Sequence, residues 1–255
     1  MESNSFERFL VLYKKDIKNL KQESMLLLGF ILLAYIFVVY KITITQDERF
    51  WVQVGDILFL IVVFMIFIRS FVFIASEWNN NTVFLVKPLP IRGKEFLLAK
   101  TMAVSTQAIF LGGICLGFMF LIWHFIVDIE PFYAAYERKI WIILFDFIKL
   151  INLFTIVFFS SVVGQLFKRH SQLITIFVFV ITLYLIVLLD SAFAQLLGCD
   201  YYSLSLPNTY LFLIRTSNSW LSFLFNASFT LMYTIFFFMG AASLYDKKVE
   251  EVKND

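Results

Sequence analysis

The chain reads as an all-α, polytopic membrane protein with six transmembrane helices, and three observations carry that reading. Its 255 residues are 60% hydrophobic and only 16% charged, a balance that leaves too little polar surface for a water-soluble globule. The apolar residues gather into six long runs, 25–42, 54–75, 102–127, 140–167, 173–189 and 220–244. At about 1.5 Å per residue, each covers a hydrocarbon core of roughly 30 Å with some tilt or overhang. Inside lipid a backbone must satisfy its own N–H and C=O groups, so runs of this length are helices. The third observation is charge asymmetry. Setting aside Arg69 and Lys149 within the runs, 14 Lys and Arg fall before the first run, after the second, after the fourth and in the tail. The other three connections hold 5, when Lys41, at the end of the first run, is counted with them. Basic residues are retained on the cytoplasmic side, so both termini are expected there, in a multi-pass protein of the plasma membrane.

Residues 1–24 are polar, lack a cleavable leader pattern and carry their own periodicity. Phe6, Phe9, Leu10, Tyr13, Ile17 and Leu20 recur every three or four residues, with Lys14, Lys15, Lys18 and Lys21 opposite. That pattern predicts an amphipathic helix lying in the cytoplasmic membrane interface, ahead of a membrane domain over residues 25–244.

Between the second and third runs, residues 76–101 form the most specific segment of the chain. Glu77 and Thr82 precede the apolar pair Phe84 and Leu85; Pro88 follows, then Arg92 and Lys100. Proline at 88 takes Lys87 out of helical geometry, so a short apolar-faced piece must end there. Apolar side chains on a connection outside the bilayer imply that they insert into something.

Within the runs, charge is expensive, about 3 kcal/mol for a charge at mid-bilayer. Arg69, Asp146 and Lys149 are the charges that stand out there, and Asn152 continues a polar stripe from Asp146 and Lys149 at three-residue spacing. The spacing predicts that Asp146 and Lys149 partly neutralise each other, on a face turned to protein or to a water-filled path. The stripe either lines a translocation route or pins helices together. Gly113 and Gly117, four apart, have the small-residue spacing that lets membrane helices approach closely.

Other chemistry is poorly supported. Neither catalytic nor metal-binding groups are expected: His124 and His170 fall on opposite sides of the membrane, and Cys115 and Cys199 at different depths. A phosphate-binding loop needs GxxxxGK[ST], but Gly112 and Gly117 are followed by Phe118 and Met119 within an apolar run. Asp190 to Ser219 makes a long external connection, residues 190–219, in which 196–198 and 210–214 could be re-entrant pieces around a Pro207–Asn208 turn. Residues 245–255 mix Lys with Glu as a solvated cytoplasmic tail.

The order Glu77, Thr82, Phe84–Leu85, Pro88, Arg92, Lys100 resembles the permease subunits of ABC transporters of the ABC-2 (type V exporter-like) family. Asn81 stands where that family usually has Gly before the Thr. The resemblance implies a coupling helix in residues 76–101, with Glu77, Thr82, Phe84, Leu85, Pro88 and Arg92 contacting a separate ATPase subunit. It implies two ATPases and a second permease, identical or homologous, per complex. ATP and Mg would be bound by the ATPase and not by this chain, which would be no enzyme itself. Nucleic acid has no place in this scheme. The expected activity is ATP-driven export, with an amphipathic peptide or other hydrophobic substrate suggested by the Phe-rich runs. A channel or secondary transporter without an ATPase is the alternative, and it leaves the 77–100 pattern unexplained.

Overall fold

The computed structural model describes residues 5–45, 48–79, 92–125, 132–167, 170–196, 200–202, 213–215 and 219–254. Six helices account for nearly all of them: α1 (Ser5–Thr45), α2 (Glu48–Asn79), α3 (Gly93–Phe125), α4 (Phe132–Gln165), α5 (Ser171–Leu196) and α6 (Ser219–Asn254). All six are long and apolar enough to span a membrane. The connection between α5 and α6 contains β1 (Asp200–Tyr202) and β2 (Leu213–Arg215), paired antiparallel with Tyr201 opposite Ile214. A strand therefore occupies the end of the 210–214 segment, where the sequence allowed a re-entrant helix.

The helices associate as two sets of three. In one, α1 packs along α3, and α2 touches both; in the other, α4 lies between α5 and α6. The sets meet where α2 and α3 contact α4 and where α3 contacts α6. Lipid is as apolar as leucine, so such helices are held by close van der Waals packing and polar contacts rather than by expulsion of water. Aromatic rings fill the seams. Tyr35 of α1 stacks on Phe118 of α3 at 5.2 Å, Phe67 and Phe71 of α2 meet Phe179 of α5, and Phe159 of α4 meets Phe237 of α6. On the outside, Leu33, Ile36, Phe177, Val180, Ile235 and Phe236 are among many large apolar side chains left exposed, as a lipid solvent requires.

The amphipathic segment differs from expectation. Residues 5–24 do not form a separate element: they belong to the single 41-residue helix α1, about 60 Å long, continuous with the first span. Its buried line is Leu12, Asp16 and Leu20, turned toward α3, while Phe6 of the expected apolar stripe is exposed. Packing on α3 decides the face, and an aspartate lies in the middle of it.

Candidate functional site

Ser5 and Arg8 of α1, Gly93, Glu95 and Phe96 of α3, and Tyr245 and Asp246 of α6 all meet at one end of the bundle. The two ends of the chain thus share one side, as an even number of spans demands. The segment 76–101 opens onto this same side, because α2 ends at Asn79 and α3 begins at Gly93.

The start of α3 is held from three directions. Glu95 accepts both arms of the Arg8 guanidinium at 3.0 and 3.1 Å and the Ser5 hydroxyl at 2.6 Å. A forked arginine–carboxylate pair of this kind fixes orientation as well as distance. The Asp246 carboxylate accepts the Gly93 N–H at 2.6 Å, supplying a partner to a first-turn amide that has none within its helix. It also places negative charge at the positive end of the helix dipole. A side chain at position 93 could not fit there, since a Cβ would come within 2.7 Å of the Ala242 carbonyl oxygen. Phe96 stacks on Tyr245 at 4.6 Å beside this cap.

Deeper in the same seam, Lys100 is completely buried. Its ammonium lies 3.8 Å from Asp16 and sits over the rings of Phe73 and Phe96, at 3.9 and 5.0 Å from their centroids. One side chain therefore joins α1, α2 and α3. A further polar layer marks where the apolar belt begins: Glu23 pairs with Arg69 at 2.5 Å, and Gln107 donates to the Ser24 hydroxyl at 3.0 Å. Arg69 is thus a link between α1 and α2, not an isolated intramembrane cation.

A second polar cluster lies among α4, α5 and α6. Asn152 donates to the Thr234 hydroxyl at 2.9 Å and the Thr230 carbonyl at 3.3 Å, pinning α4 to α6. Tyr233 donates to Asp190 at 3.0 Å, and the Lys149 ammonium acts electrostatically on the same carboxylate. Lys149 also lies 4.5 Å from the Phe145 ring centroid. Asp146 is in α4, three residues before Lys149, but its side chain lies outside the described residues.

Of the residues expected to contact a partner, Thr82, Phe84, Leu85 and Pro88 lie outside the described residues. Glu77 belongs to the last turns of α2, its side chain likewise outside the description. Arg92 is exposed immediately before α3, and its carbonyl accepts the Glu95 and Phe96 amides. Gly113 and Gly117 face open space, with nothing within 4 Å of a Cβ placed at either position, so no helix of the described chain packs on them.

Sequence reasoning missed Arg8, Asp16, Glu95, Asp190 and Tyr233 as structural partners. The signal for Asp16 was available: it lies four residues from both Leu12 and Leu20, on the one face of α1 that is buried. Comparison with protein-family models, curated protein sequences and solved structures returns no match.

Proposed function

We propose that this chain is the membrane subunit of an ATP-driven ABC transporter of ABC-2 type. In this reading it forms the translocation pathway with a second permease subunit and takes its energy from two copies of a separate ATPase. Both termini would lie in the cytoplasm, and the cargo would be an amphipathic peptide or another hydrophobic substrate carried outward.

One observation supports this reading above the others. The segment that bears the ABC-2-like pattern runs into a helix whose first turn is fastened to α1 through Arg8 and to α6 through Asp246. Lys100, two turns on, joins that helix to α1 and α2. A partner pushing on residues 80–91 would move a braced helix and, through it, both helix sets. Force applied to an unbraced turn would be lost in local bending.

The test is docking. If Phe84 and Leu85 fill a pocket of the ATPase, each contributes burial of about 2 kcal/mol, and removing both should weaken assembly well beyond tenfold. Phe84→Ala/Leu85→Ala should reach the membrane at normal level, fail to co-purify with the ATPase and fail to stimulate ATP turnover. Full assembly and transport by this variant would leave a channel or secondary carrier as the better account.

A further inference from the structure

Two of the three acidic groups in the first half of α1 turn toward other helices, whereas four of its five basic groups are exposed. Asp16 is turned inward to Lys100, and Glu23 is taken up by Arg69 of α2. Lys14, Lys15, Lys18 and Lys21 are all exposed. Since helical residues four and seven apart share a face, Lys14, Lys18 and Lys21 fall in line with Met25, and Lys15 lies beside Leu26 on the next strip. Met25 and Leu26 are strongly exposed apolar residues, and Leu33, Ile36 and Tyr40 extend the same open side along the span. The lysines therefore stand on the lipid-facing side of α1, directly beyond the point where its apolar surface begins.

Rise per residue sets their depth. Lys21 and Lys18 precede Met25 by about 6 and 10 Å along the axis, the level of lipid headgroups next to a hydrocarbon core. Lys14 and Lys15 are about 15 Å away, beyond the headgroups yet still close enough to feel a charged surface across roughly one to two Debye lengths. The opposite face is committed to α3 through Leu12, Asp16 and Leu20, so rotation of α1 cannot hide the lysines without breaking that seam.

We infer that Lys14, Lys15, Lys18 and Lys21 form a binding surface for anionic phospholipid headgroups. The surface is independent of the transport reading. It selects lipid by charge, and it holds this end of the bundle against a negatively charged leaflet. Each lysine near such a surface favours binding by about fivefold, with Lys18 and Lys21 contributing most because of their depth.

The experiment uses the full chain in nanodiscs of phosphatidylcholine with phosphatidylglycerol at a fixed mole ratio. Native mass spectrometry after release from the discs reads which lipids stay bound. The wild type should retain phosphatidylglycerol over phosphatidylcholine, and Lys14→Gln/Lys15→Gln/Lys18→Gln/Lys21→Gln should lower that preference at least tenfold. Lys18→Gln/Lys21→Gln should account for most of the loss, whereas arginine at all four positions should keep the preference. Soluble glycerol phosphate should not compete, which separates a headgroup in its bilayer from a free phosphate. Equal retention of both lipids by the wild type would overturn the inference. So would a wild-type preference that the four-fold Gln variant keeps. A preference carried equally by Lys14 and Lys15 would overturn the depth assignment.

Discussion

Lys100 and Asp16 form an ion pair 3.8 Å apart, with the lysine side chain sealed from solvent and the aspartate 4% exposed. Neither residue neighbours the other in sequence, and the contact joins α1 to α3 about 13 Å along α1 before its apolar run begins at Met25. Taking two charges out of water costs several kcal/mol per ion before their attraction is counted, so the pair is better evidence of a defined geometry than of added stability.

Removing one partner should therefore be worse than removing both. Asp16→Leu or Lys100→Met alone leaves a buried charge and should cost about 3–5 kcal/mol of stability. The double variant should recover most of that loss. Thermal unfolding of the purified variants in one detergent reads the coupling, and simple additivity would mean that the two charges are not energetically a pair.

The glycines make a contrasting prediction. A methyl group at Gly93 meets the Ala242 carbonyl oxygen and the Asp246 carboxylate, so Gly93→Ala should destabilise by about 1–3 kcal/mol. At Gly113 a methyl group meets nothing within 4 Å, and alanine is the better helix former by about 1 kcal/mol. Gly113→Ala should leave the isolated chain as stable or slightly more so. A loss of assembly with unchanged chain stability would show that another subunit packs there.

The Lys149 charge acts on the Asp190 carboxylate from a neighbouring helix, while helix spacing also pairs Lys149 with Asp146. Lys149→Gln and Asp190→Asn should be strongly non-additive in unfolding measurements, by about 0.5–3 kcal/mol. Lys149→Gln and Asp146→Asn, compared in the same way, test the pairing that helix spacing predicts. Coupling confined to the second pair would return Lys149 to its neighbour within α4.

Orientation is tested by labelling. In a background with Cys115 and Cys199 replaced by Ser, single cysteines at Asn4, Glu137, Ser203 and Asn254 would be probed on intact cells with an impermeant thiol reagent. The basic-residue asymmetry predicts labelling at 137 and 203 only. Labelling at 254 but not at 4 would break the shared side of the termini that Arg8–Glu95 and Gly93–Asp246 require.

What was legible in the chain and what was not divides along the range of the interaction. Asn152 was rightly singled out as a polar group on an inward face, but Thr230 and Thr234, its partners, lie 78 and 82 residues away. From the sequence Arg69 stands out only as a charge within the second run, because its partner Glu23, on another helix, has no sequence relationship to it. The amphipathic stripe of residues 6–20 was legible as a helix, and Leu20, Tyr13 and Ile17 of that stripe do pack on the core. The pairing of Asp16, at the centre of the contact, was not legible because its partner, Lys100, is on another helix.

By itself, the sequence determined that this protein has six helices able to span a membrane and where they lie. Backbone groups in lipid must be satisfied within each segment, so span length and hydropathy suffice, with no reference to any other part of the chain. Only the tertiary structure decided which charges meet. Arg8 with Glu95, Asp16 with Lys100 and Glu23 with Arg69 are choices among several cations and carboxylates of similar depth. They are settled by which helices pack together and at what rotation. That packing rests on ring-on-ring fits such as Tyr35 with Phe118 and close approaches such as Gly93 with Ala242, and these depend on shape rather than hydropathy.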